Sequence, residues 1–480
     1  MTRFARRNIY LLLGFIFIIF GRFIPAPVGM QQSGMTVVGI FAGVLLLWLT
    51  VAIDWPSLLC IGALGLIPEL GFKTIFANSL GNETIIFLIC TFMCTYALSE
   101  TPFLNRCAIY FITSPIAQKG PWLFVASFFT AIIVIGCFVS PTVLFVVFLP
   151  IAEKIIEILK LKKGDKVANM IMMGLAFCVS VSAGMTPIAH VFSIMAMGFY
   201  NTATGLNIGY GEYMVFAIPV GIISTILLVF VFKFILKPEI SEIKDIDISI
   251  LKNELKPMEK KEKLVIGIFC LVVALWVLPS LLKNIFPEIA KINKMGTAMP
   301  PILGVILYSV VTFKEKPLLN FGEGMKKGVQ WSSIIMCSGT LAIGSAMTNS
   351  NIGLTKYMIT SLTPILKDVS PILLIFIFTA WACIQTNVSS NMVTVTVVTT
   401  VAIPLVQATS GVVSCPAIVS IIGMMSAYAF ATPPAMPHIA MAIGSGWTNT
   451  GSMMKYGFIF MVITTLITVF IGYPIANILM

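Results

Sequence analysis

Long apolar runs, separated by short polar or charged stretches, dominate the chain from its first residues. Ile9 to Phe20, Val37 to Ala52, Ile85 to Leu98, Met214 to Val231, Leu264 to Leu278 and Tyr456 to Ile471 carry no charged residue. Runs of this kind approach the length a helix needs to cross a hydrocarbon layer of about 30 Å, and about eleven crossings fit the chain. The first begins within ten residues of Met1 with no small-residue cleavage site after it, and reads as a retained helix rather than a signal peptide.

Two regions depart from simple spans, and they match each other. TPIAHVFSIMAMGFYNTATG (Thr186 to Gly205) aligns without a gap on TPPAMPHIAMAIGSGWTNTG (Thr432 to Gly451), with identities that include both Thr-Pro pairs and both Thr-Gly ends. Upstream of each lies an apolar arm, a small polar centre and a second arm ending near Pro150 or Pro404: Phe129 to Ala152 and Phe378 to Leu405. Two short arms around a polar turn describe a re-entrant hairpin. The first hairpin is followed by the lysine-rich stretch Glu153 to Lys166, the second by the uncharged Gln407 to Pro416. The positive-inside rule then has them enter from opposite sides, so the repeats are inverted. The expected division is a first repeat over 1–235 (scaffold 1–118, hairpin and broken helix 121–235), a cytoplasmic linker at 236–262, and a second repeat over 263–480 (scaffold 263–365, hairpin and broken helix 371–480).

Composition agrees with a lipid-embedded, all-α polytopic protein. The 480 residues are 58% hydrophobic and 10% charged, whereas soluble domains are about a quarter charged. The net charge of +11 sits in loops beside apolar spans, which encodes topology rather than nucleic-acid binding. Arg3, Arg6 and Arg7 place the N-terminus in the cytoplasm of a cell membrane; Lys283, Lys291 and Lys294 fall on an outside loop, against the rule. The ten cysteines lack CxxC spacing and read as packing residues, as do most of the 27 methionines. No nucleophile–base pair, phosphate loop or Cys/His cluster suggests an enzyme or a zinc site.

The breaks are where chemistry is expected. Unpaired backbone groups in a bilayer cost several kcal/mol each, so unwound segments persist around a cavity or ligand. Four are expected: Ser140-Pro141-Thr142, Ser389-Ser390-Asn391, Ser182 to Pro187, and Ala431 to Pro434. Half-helix N-termini offer N–H groups to an anion, and C-termini offer carbonyls to a cation. None of these stretches holds Arg or Lys, so an anion would be held by N–H and hydroxyl donors.

YAFATPPAMPHIAMA (Tyr428 to Ala442), the two hairpin tips, and ALSETPFLNR (Ala97 to Arg106) with its weaker copy AMTNSNIGLTKY (Ala346 to Tyr357) resemble the divalent anion/sodium symporter family of dicarboxylate, citrate and sulfate carriers. The resemblance covers nearly the whole chain. It implies a homodimer, an elevator-like movement, sodium as coupling ion with no other cofactor, and a small anionic substrate. That family carries Ser-Asn-Thr at each tip. By position, Ser140 and Thr142 match the first motif with Pro141 in place of Asn; Ser390 and Asn391 match the second with Met392 in place of Thr. The implied substrate set is Ser140, Pro141, Thr142, Thr186, Pro187, Ser390, Asn391, Thr432 and Pro433. The implied sodium set is Thr386, Ser389, Asn391 and Ala431, with Ser140 and Gly184 as a first site that Pro141 weakens. Alignment on the shared Phe-Thr-Ala would instead pair Ser140 with Ser389, a register one residue away.

His190 and His438, the only histidines, follow the Thr-Pro breaks and could link transport to protons; the alternative is a neutral ring satisfied by a neighbour. Besides a symporter, the pattern admits an anion exchanger, a proton-coupled carrier of a less charged solute, or a channel, although tips without a charge ring favour an occluding site.

Overall fold

A computed structural model describes residues 3–188, 190–240, 257–282, 296, 298–366, 369–409, 411–433 and 435–480. The first half runs α1 (Arg3–Phe20), α2 (Gln32–Thr50), α3 (Trp55–Gly65), α4 (Phe72–Asn78), α5 (Glu83–Ser99) and α6 (Phe103–Ile112). It continues through a hairpin, α7 (Pro121–Gly136) and α8 (Pro141–Ile158), a broken helix, α9 (Lys166–Met185) and α10 (Val191–Thr204), and α11 (Tyr210–Val231). The second half repeats the order: α12 (Lys260–Leu282), α13 (Met299–Val310), α14 (Trp331–Thr348), α15 (Leu354–Leu366), the hairpin α16 (Pro371–Val388) and α17 (Asn391–Gln407), the broken helix α18 (Cys415–Met425) and α19 (Pro437–Gly444), and α20 (Thr450–Ile467), before a short terminal α21 (Tyr473–Leu479). The six apolar runs singled out in the sequence fall on helices, the second passing two residues beyond α2 and the last ending in a π-turn at Thr468–Gly472. Among the described residues, seven helices are long and apolar enough to cross a membrane.

Packing follows the duplication. α3 lies against α14 and α5 against α13, so each half lends one helix to the other. α8 packs on α9 just as α17 packs on α18. Proline opens α7, α8, α16 and α19 at the first helical position, where its fixed φ suits the helix and its missing N–H costs nothing. The hairpin arms have 16 to 18 residues, about 24–27 Å of helix. They fall only slightly short of a span, and α16 counts among the seven long apolar helices. The turn at Ser389–Ser390, rather than arm length, is what makes it re-entrant. α9 is the central helix: 94% of its apolar window is buried, against 33% for Lys260–Pro279 at the periphery.

Two expectations need restatement. The linker expected at 236–262 lies outside the described residues for 241–256, and its last three residues already form the first turn of α12. Lys283, Lys291 and Lys294 also lie outside the described residues.

Candidate substrate and cation site

Each hairpin turns through an extended serine. Ser140 (φ −61°, ψ 144°) and Ser390 (φ −65°, ψ 132°) are the N-caps of α8 and α17, and neither side chain caps its own helix. Their hydroxyls, and the first N–H groups of the two second arms, are therefore available to a solute at the positive end of each helix. This geometry equates Ser140 with Ser390, Pro141 with Asn391 and Thr142 with Met392. It selects the register of the tip motifs over that of the Phe-Thr-Ala alignment, because the second arm pair contains one more residue before its turn.

The breaks dock on these tips by a duplicated bond. The Thr186 hydroxyl donates to the Cys137 carbonyl, and the Thr432 hydroxyl donates to the Asn387 carbonyl. Cys137 and Asn387 each stand three residues before the N-cap serine, so the aligned threonines do the same work in both halves. Their protons serve the tips. Pro187 is buried and Pro433 half-buried beside them.

The two breaks differ in length. α9 stays helical through Ser182, Ala183, Gly184 and Met185, and ends only at Thr186. The expected break at Ser182 is thus four residues too early. Gly184 serves close packing instead of unwinding: a Cβ there would sit 2.8 Å from the Tyr428 ring and 3.0 Å from the Met424 carbonyl. Its carbonyl accepts from Tyr213 Oη at 2.7 Å, and Tyr213 also meets Ser193 Oγ at 2.6 Å.

The second break starts at Ser426, where α18 ends, five residues before the expected Ala431. Side chains hold it open. Asn387 Nδ2 donates to Tyr428 O and Cys383 O, both at 2.8 Å, while its Oδ1 accepts from Phe430 N at 2.6 Å and Ala431 N at 2.8 Å. Thr386 Oγ1 donates to Ser426 O at 2.6 Å, and Ser180 Oγ to Ala429 O at 2.5 Å. Ser389, half-buried, donates back to Gln385 O at 3.0 Å.

Asn391 is different. It is 3% exposed, yet neither Nδ2 nor Oδ1 has a partner in the protein. A buried amide left unpaired costs about 1–3 kcal/mol or more, and Asn391 presents both an unpaired acceptor, Oδ1, and an unpaired donor, Nδ2, at the second tip. Met392 beside it is buried, whereas Thr142 on the first tip is exposed. No hydrogen bond among the described residues joins one tip to the other.

The histidines occupy unlike places. His190 is the N-cap of α10, its Nδ1 accepting from Val191 N at 2.9 Å. His438 is fully buried on α19, with Nε2 2.8 Å from Ser180 Oγ. Ser180 gives its single proton to Ala429 O, so His438 Nε2 must carry the hydrogen toward Ser180. Its ring therefore ties α19, α9 and the second break into one chain of bonds. Asn387, Ser180 and Tyr213 were not singled out in the sequence. An Asn within the apolar arm of a hairpin, beside Thr386 and four residues before Asn391, was the available signal for the first.

Matched re-entrant hairpins, broken helices and an unpartnered amide at a tip, in a chain of membrane-length helices, define a polytopic membrane transporter and not an enzyme. The family model described as the sodium:sulfate symporter transmembrane region matches residues 5–480, and the chain belongs to that family. The sodium-dependent dicarboxylate transporter SdcS of Staphylococcus saprophyticus is 24% identical over 98% of this chain and 92% of its own length. SdcS of Staphylococcus aureus is 23% identical over 99% and 92%. In fold, the chain is similar to the crystal structure of the Alcanivorax borkumensis YdaH transporter, reported to have an unusual topology, at 12% identity and a TM-score of 0.56, over 85% of this chain and 87% of that one.

Proposed function

We propose that the chain is a sodium-coupled symporter of small anions of the dicarboxylate, tricarboxylate or sulfate class, with one substrate site between the hairpin tips and the breaks. The observation that carries this reading is the buried, unpartnered amide of Asn391 at the N-terminus of α17. The names of the SdcS relatives point the same way. Ser140, Thr142, Ser390 and the first N–H groups of α8 and α17 hold the anion, with Thr186, Pro187, Thr432 and Pro433 shaping the floor. Thr386, Ser389, Asn391 and the Ala431 carbonyl hold sodium.

Residues 121–235 and 371–480 form a mobile domain that carries this site past a scaffold of 1–118 and 263–365, in an elevator movement within a homodimer. The N-terminus faces the cytoplasm, in a plasma membrane.

A second reading, exchange of one anion for another, is favoured by the first tip. Pro141 stands where an amide would serve a cation, and the Gly184 carbonyl already accepts from Tyr213. A third, proton coupling through His190 or His438, predicts an altered pH profile of uptake on replacing either ring.

Uptake of labelled succinate, citrate and sulfate into proteoliposomes separates these readings. Accumulation that requires an inward sodium gradient supports the symporter; uptake that requires only internal anion, or only a proton gradient, overturns it.

A further inference from the structure

A cavity of about 520 Å³ lies between α6, α12 and the end of the first hairpin arm, walled by Phe103 and Phe111 of α6, Phe138 beside the first tip, and Phe269, Val273 and Ala274 of α12. Its volume falls within the range of small-molecule sites, but its lining offers no polar side chain beyond the thiols of Cys107 and Cys270. The cavity is open on the outer side of the helices, where Val134 and Cys270 are exposed. It is thus a groove facing lipid.

Its length and the charge beyond one end identify the occupant. Along α12 the lining runs from Ile266 to Leu278, about 18 Å of helix rise. That is a little over half of a hydrocarbon layer about 30 Å thick, the depth of one leaflet. The stripe Ile266, Phe269, Cys270, Val273 continues one turn further to Glu262 and Lys263. There Arg106 of α6 holds the buried Glu262 through bonds of 3.1 and 3.2 Å. Lys260 and Lys263 are exposed and Lys261 half-buried at this end, with Glu259 as the other carboxylate. Cations outnumber carboxylates at this end of α12, one turn beyond the groove, while the groove itself is apolar.

We propose that this groove is a phospholipid site: one acyl chain lies between α12 and the first hairpin, and an anionic headgroup rests against Lys260 and Lys263. Apolar walls alone do not select one tail over another in a bilayer, because every lipid tail is equally apolar. Selection comes from the cationic end of α12, at about a fivefold preference for each lysine near the surface. The bound chain touches Phe138 and Val139, the residues that lead into Ser140, so it buttresses the first tip on the side away from α9.

The test uses proteoliposomes of the whole protein containing phosphatidylglycerol or phosphatidylcholine with a photoactivatable acyl chain, and maps the adducts by mass spectrometry. Adducts on residues 103–111 and 266–278 are expected, with more from phosphatidylglycerol than from phosphatidylcholine. The outward face of α16, at the exposed Ile377 and Ile384, shows no such preference. Ala274→Phe, which fills the groove, lowers the groove adducts and leaves those on α16 unchanged. Lys263→Gln, an exposed change that does not disturb packing, lowers the phosphatidylglycerol preference by about fivefold. Equal labelling of groove and α16 by both lipids would mean ordinary solvation and overturn the proposal. So would an absence of adducts on both groove stretches, which would mean that protein covers them.

Discussion

Removing the Asn387 side chain is expected to collapse the second break and, with it, cation binding. In the wild-type chain this amide, 1% exposed, satisfies the Phe430 and Ala431 N–H groups and the Tyr428 carbonyl, none of which has a helical partner in the unwound segment. Asn387→Ala leaves three backbone groups buried and unpaired at about 1 kcal/mol each, the low end of the usual range. A ligand that needs the native break must then supply about 3 kcal/mol, which is about a hundredfold in apparent affinity. The assay is the sodium dependence of anion uptake in proteoliposomes: half-activation is expected to move up by about that factor. Asn387→Asp adds a sign. An ionised carboxylate keeps both acceptor bonds but faces the Tyr428 and Cys383 carbonyls with no hydrogen to give, whereas the protonated acid can donate to one of them. Burial favours that neutral form, so uptake by Asn387→Asp should recover as pH falls, while Asn387→Ala should not. If Asn387→Ala transports with unchanged sodium activation, the break is not held as described and the argument fails.

Three further outcomes follow from the same geometry. Met392→Thr restores a hydroxyl at the second tip and should lower the KM for dicarboxylates by about fivefold, the worth of one hydrogen bond near 1 kcal/mol, measured by competition between succinate and sulfate. Gly457→Ala should abolish uptake while the protein still inserts, since a Cβ there would lie 2.9 Å from Ala431 Cα and the Phe430 carbonyl, backbone that cannot step aside without moving the break. Arg106→Gln strands Glu262, 3% exposed, at a cost of about 3–5 kcal/mol; thermal denaturation should show a marked loss of stability that the double variant with Glu262→Gln largely recovers.

Much of the architecture was legible because its punctuation is covalent. Prolines open three of the four hairpin arms and the second half of one broken helix, and the Thr-Pro pairs mark both breaks, because proline restricts its own φ and the preceding residue in any context. The duplication was legible because matched Thr-Pro and Thr-Gly positions survive in both halves. The start of the second break was not. Ser426 to Phe430 contains neither Gly nor Pro, and its local preferences do not forbid a helix. It unwinds because Asn387, Thr386 and Ser180, distant in sequence, offer its backbone better partners than the next helical turn would. The opposite error, at Gly184, has the same root: glycine read as a breaker serves as a contact point for Tyr428. The one-residue shift between the hairpins was legible only as a choice, since the tip motifs pair Ser140 with Ser390 and the shared Phe-Thr-Ala pairs it with Ser389, and composition does not reveal which serine becomes the N-cap.

The most direct test of the account is equilibrium binding of radioactive sodium and of labelled succinate to the purified protein, wild type and Asn391→Ala, with Tyr110→Phe on the exposed face of α6 as a folded control. Sodium and succinate that strengthen each other's binding in wild type, with the coupling and most of the sodium binding lost in Asn391→Ala, are the predicted result. Unchanged sodium binding in Asn391→Ala would contradict it.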